Sequence, residues 1–146
     1  GAVVTAGLDH AEIYVELTPG RDQEVLSALS DMQGEFPARR LGAKLRCGGV
    51  HEDHVPSCER VASVLVAARE AGVPLKFTAG LHHPVRGMAS TGDVPMHGFL
   101  NIYAADLLIY TRGLSADAVI PVVATRPRHR DRSTRSANSS TSPHGR

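Results

Sequence analysis

The sequence predicts an α/β fold of consecutive strand–helix units with parallel strands. Three observations predict it. Glu16, Lys44 and Lys76 mark three short strand-like stretches spaced 28 and 32 residues apart. Two segments with helical apolar spacing lie between those stretches. The chain of 146 residues, 42% apolar and 21% charged, is long enough to bury the core of one packed domain.

The elements follow in order. "EIYVEL" (12–17) has strand composition and is followed by the turn signal Thr-Pro-Gly. In "RDQEVLSALSDMQ" (21–33), Val25, Leu26, Leu29 and Met32 recur at helical spacing. "GAKLRCGG" (42–49) alternates as a strand and ends in two glycines. "PSCERVASVLVAAREAG" (56–72) is the clearest helix: Ser57 is its N-cap, Val61, Val64, Leu65 and Ala68 its buried stripe, and Gly72 its C-cap. "VPLKFTAG" (73–80) reads as the third strand. A loop (81–96) leads to "HGFLNIYAADLLIYTRG" (97–113), helical and apolar nearly all round, which predicts a buried helix. "AVIPVVA" (118–124) reads as a fourth strand. Three or four such units amount to part of a (β/α)8 barrel, because a full barrel needs about 250 residues. A small doubly wound sheet is the alternative.

The formal net charge of +1 conceals a division. Residues 126–146 hold six of the sixteen basic residues and one of the fifteen acidic ones, so this part carries +5 and the remainder −4. Its Arg, Ser, Thr and Pro composition predicts a disordered tail after an α/β domain at 1–125. Aromatics at 4%, with no tryptophan, argue against base stacking on nucleic acid. No apolar run reaches the roughly 18 residues that span a bilayer. The opening "GAVVTAGLDHAEI" lacks a basic n-region and reads as the middle of a fold, so a piece of a longer protein is expected. Cys47 and Cys58, outside any Cys-x-x-Cys pair, predict reduced thiols in a cytoplasm. Neither Gly-x-Gly-x-x-Gly nor a P-loop occurs, and no cofactor is implied.

The charges within the strands carry the chemistry. A parallel strand covered on both faces reads as a continuous apolar run. Here Glu16, Lys44, Arg46, Lys76 and Thr78 interrupt the strands near their C-terminal ends, where α/β folds bind ligands. Alternation puts Lys44 with Arg46, and Lys76 with Thr78, on one face. With Arg86 nearby, the set is net positive and suits a small carboxylate or phosphate. Lys76 is the candidate base or Schiff-base nucleophile, on the expectation that desolvation and neighbouring cations lower its pKa. His82 and His83 follow this strand, and one of them is a candidate proton carrier. His97 and Asn101 are further candidates for the site mouth. One of the paired histidines with His97 and Glu16 is a weaker metal-ligand set. "HEDH" (51–54) reads as a solvated loop.

"LKFTAG" resembles the strand "K-T-S-T-G" that carries the Schiff-base lysine of deoxyribose-phosphate aldolases. Taken together, "KLRCGG", "KFTAGLHHPVR" and "HGFLN" resemble the motifs of a family of uncharacterised bacterial proteins, over roughly residues 12–112. That resemblance singles out Lys44, Arg46, Gly48, Gly49, Lys76, Thr78, Gly80, His82, His83, Arg86, His97 and Asn101. It implies that the chain is the C-terminal part of a longer protein, and it supplies no reaction. The arginine-serine tail departs from the pattern after Gly113.

The expectation is therefore an enzyme acting on a small anionic metabolite by lyase or aldolase-type chemistry. A non-catalytic anion-binding or interaction module is the second reading, and a metal-dependent hydrolase the third. Open strand edges also predict pairing with another copy or with a further segment.

Overall fold

The computed structural model describes residues 11–37, 39–49, 54–88 and 94–127. The predicted tail lies outside the described residues from 128 onward, as does most of the "HEDH" loop. In chain order the elements are β1 (Glu12–Glu16), α1 (Asp22–Glu35), β2 (Arg40–Arg46), α2 (Cys58–Ala71), β3 (Leu75–Thr78), β4 (Gly87–Met88), β5 (Pro95–Met96), α3 (Phe99–Arg112) and α4 (Ala116–Ala124). β1, β2 and β3 form a parallel sheet in that order, and β4 and β5 a short antiparallel pair.

The register decides what each face of the sheet presents. Glu16 pairs with Lys44 and Lys44 with Lys76, while Arg46 pairs with Thr78. Residues paired across parallel strands point to the same side. One face therefore carries Tyr14, Glu16, Lys44, Arg46, Lys76 and Thr78, each exposed or half-buried. The other carries Leu41, Ala43, Leu45 and Cys47, all buried. α1 and α2 cover that apolar face, contributing Leu26, Leu29, Val61, Val64 and Leu65 to one core. Burying each such side chain contributes about 1.5–3 kcal/mol.

α2 forms for the reasons its ends suggest. The Ser57 side chain accepts from the Arg60 amide at 3.1 Å, and Gly72 closes the helix at φ 66°. Between these caps Arg60 makes a bidentate pair with Asp22 at 2.8 and 2.9 Å and also donates to the Leu17 carbonyl. One guanidinium thus ties the first turns of α1 and α2 to the end of β1. Cys47 and Cys58 are free and buried, and burial pushes the Cys47 thiol up to about 12, so it is an inert core group.

Two expectations are corrected. The segment 118–124 is the helix α4, with Pro121 inside it. Val119 and Val123, four residues apart, are both fully buried in the common core with α2 and α3. Packing of that i, i+4 pair overrides the strand preference of a β-branched run. α3 is a helix as expected but is buried on one side only. Ile102, Ala105 and Ile109 enter the core, while Leu100, Tyr103, Leu107 and Tyr110 are exposed.

Candidate functional site

The polar face of the sheet brings together Glu16, Lys44 and Arg46. Lys44 Nζ lies 2.9 Å from Glu16 Oε2, and Arg46 Nε lies 3.6 Å from Glu16 Oε1. The hydrogen bond from Lys44, with the Lys44 and Arg46 charges, holds the Glu16 carboxyl below its ordinary value against a smaller effect of burial. Arg40 and Glu12 pair with each other at the start of the same face. Four cations thus stand against two carboxylates, and the face keeps a net positive charge that Glu16 answers only in part.

Lys76 turns to a different neighbour. Its ammonium lies 5.1 Å from the centroid of the Tyr14 ring, a cation–π distance. Tyr14 stands on β1, so its ring must lie across β2 to meet a residue of β3. Gly42 permits this, because a Cβ there would sit 2.6 Å from the ring and 2.8 Å from the Pro74 carbonyl oxygen. A glycine inside a strand pattern is the signal that marks such a close approach, and the sequence reading passed over it.

Lys76 and Tyr14 also line a cavity of about 640 Å³ with Phe77, Phe99, Tyr103 and Asp106. The cavity wraps the free edge of β3 and is walled on its far side by α3. Its size falls in the range of small-molecule sites, and its lining is aromatic and apolar with one cation and one carboxylate. Lys44, Arg46, His82 and His83 are not among its walls. Lys76 is itself exposed, so this chain alone does not supply the desolvation expected around it. Thr78 is half-buried beside Lys76, in register with Arg46.

Arg86, His97 and Asn101 gather elsewhere, where His97 and Asn101 each bond to Arg86 and to backbone carbonyls. His97 is fully buried. Its Nε2 lies 2.6 Å from the Pro56 carbonyl oxygen and its Nδ1 lies 2.9 Å from Arg86 Nη1. The carbonyl only accepts and the guanidinium only donates, so the imidazole is neutral with its proton on Nε2. Burial pushes its pKa down, opposed by the Pro56 hydrogen bond and reinforced by the Arg86 charge. Asn101 accepts from the Arg86 amide at 2.9 Å and donates to the Val122 and Thr125 carbonyls at 2.8 and 2.9 Å. It therefore closes the end of α4 and holds the loop before α3.

The two motifs around these residues meet through the backbone. The Phe99 and Leu100 amides, otherwise orphaned in the first turn of α3, donate to the His83 and Pro84 carbonyls. Gly98 fits this junction because a Cβ there would sit 2.4 Å from the Val85 carbonyl carbon. The His82 and His83 side chains are exposed. Among the described residues no three His, Cys, Asp or Glu side chains are placed to hold a metal ion. His97, with both ring nitrogens bonded to protein groups, is not free to be a ligand.

No family model, curated protein or solved structure matches this chain. No helix among the described residues is long and apolar enough to cross a membrane.

Proposed function

We propose that the polar face of the sheet and the cavity beside β3 bind a small organic anion, a carboxylate or a phosphate ester. The observation that carries this reading is the register that sets Lys44, Arg46 and Lys76 on one face, at the C-terminal ends of three parallel strands. Arg46 suits bidentate contact with the anionic group, and the aromatic wall accepts an apolar body. On the same reading the sheet is part of a (β/α)8 barrel. Its sequential parallel strands and its helices on one face support this, since a doubly wound sheet carries helices on both. The polar face is then the inward one. The two free, buried thiols fit a reducing, cytoplasmic setting.

The chemistry that suits the site is of lyase or aldolase type. The Lys76 amine adds to a substrate carbonyl and the oxygen leaves as water, with a proton taken from solvent, to give an iminium. The bond between the carbons α and β to it then breaks, its electron pair forming an enamine. The hydroxyl on the β carbon gives its proton to solvent, and that fragment leaves as an aldehyde. Borohydride trapping with pyruvate or glyceraldehyde 3-phosphate tests the step. A reduced adduct mapped to Lys76 by peptide mass, and lost in Lys76→Met, is the expected result. Saturable binding of these anions without any adduct favours a non-catalytic anion-binding module. That second reading has its own support in the exposure of Lys76 and in a cavity lining that includes neither loop histidine.

A further inference from the structure

Helix α3 is apolar on two opposite sides, and only one of them is buried. At 100° per residue, Asn101, Ile102, Ala105 and Ile109 cluster on the core side. Leu100, Tyr103, Leu107 and Tyr110 fall on the opposite side, and they are 51%, 69%, 61% and 74% exposed. Their spacing of three, four and three residues is the a/d repeat of a helix that packs against another helix. The helix carries two charged residues, Asp106 and Arg112. Neither stands on the exposed stripe. Four large side chains exposed along one line, without a charge among them, form a patch of the kind that marks an interaction surface.

We propose that this stripe is a two-fold dimer interface, in which α3 packs antiparallel against α3 of a second copy. The order of residues selects this occupant. Read in opposite directions, the stripe sets Leu100 against the partner's Tyr110 and Tyr103 against the partner's Leu107, so every contact joins one leucine to one tyrosine. The surface is thus complementary to itself under a two-fold axis, as an isologous interface requires. A parallel arrangement instead opposes tyrosine to tyrosine and leucine to leucine. The four side chains expose on the order of 500 Å² per copy, and flanking residues on α3 bring this towards the roughly 800 Å² per partner of a standard interface.

The site gains a wall from this assembly. Tyr103 lines both the stripe and the Lys76 cavity, and Asp106 stands between them. The partner's Leu107, packed on Tyr103, covers the rim of that cavity and removes water from the side of Lys76 that this chain leaves open. Assembly needs no ligand, so it and the anion-binding reading fail separately.

Sedimentation velocity of the 146-residue chain across micromolar concentrations tests the proposal. The expected result is a reversible dimer, weakened roughly 100-fold or more by Leu107→Glu or Tyr103→Glu, the range of central interface residues. Both residues are exposed in the single chain, so an unchanged far-UV spectrum is expected and shows that folding is retained. The register is read by oxidising the double variant Leu100→Cys/Tyr110→Cys. These positions lie about 15 Å apart within one helix, too far for a bond inside one chain. A covalent dimer from the double variant, with none from Leu100→Cys alone, supports the antiparallel pairing. A monomer at every concentration, a dimer indifferent to both glutamates, or cross-linking by Leu100→Cys alone overturns it. The first two results assign the stripe to another protein or to a further segment of a longer chain.

Discussion

His97 sits between a carbonyl that must accept a hydrogen bond and a guanidinium that must donate one, which leaves its imidazole a single protonation pattern. The consequence is a pH dependence of stability. Burial first, then the Arg86 charge, lower its pKa in the folded chain, while the unfolded chain titrates near 6.5. Above that pH both states are neutral at this residue. Below it the unfolded chain takes up a proton that the folded chain refuses, so stability falls with a slope of up to about 1.4 kcal/mol per pH unit. Urea unfolding between pH 7.5 and 5.5 is expected to show the loss, and His97→Gln to remove this share of the slope. An unchanged slope in the variant would assign the effect to other groups. The residue also shows which contacts a sequence does not display. Pro56, which its Nε2 meets, is 41 positions away and the partners of Asn101 are 15, 21 and 24 away, and no local pattern announces bonds of that separation. Lys44 and Arg46 were legible for the opposite reason, because strand alternation is local and fixes their face.

At the level of elements, α2 was readable from its own letters, since Ser57, the apolar stripe and Gly72 all agree with the packed result. α4 was not. A β-branched run interrupted by proline is a poor helix by intrinsic preference. The missing partners were the surfaces of α2 and α3 that bury Val119 and Val123, and the Asn101 amide that caps the final carbonyls. Pro121 is the remnant of this conflict: it is exposed, lacks an amide proton, and sits past the first turn of a nine-residue helix. Pro121→Ala restores the bond to the Asp117 carbonyl and relieves the ring's clash with it. The gain is offset in part by a freer unfolded chain. The net expectation is a stabilisation of about 1 kcal/mol, read as a rise in the urea midpoint with an unchanged m-value. A lower midpoint would mean that the ring itself packs usefully.

Across the whole molecule the governing fact is a parallel sheet with helices on one face and charges on the other. Such sheets are ordinarily covered on both faces, and here the open face is the one with unbalanced positive charge. Gly42 lets the Tyr14 ring cross to Lys76, so the face is organised around three strands rather than one. On the anion-binding proposal, Glu16, which already pairs with Lys44 and Arg46, competes with the anion for them. Glu16→Gln removes one negative charge while keeping the side chain's shape, so phosphate or pyruvate is expected to bind several-fold more tightly at low ionic strength. The gain shrinks as salt approaches 0.15 M, where the screening length is about 8 Å. Stability changes little, because pairs this exposed contribute at most about 1 kcal/mol. Titration calorimetry at two salt concentrations reads both effects. An affinity unchanged or weakened by the substitution would show that Glu16 shapes the anion site instead of opposing it, and that Lys44 and Arg46 need their partner to bind.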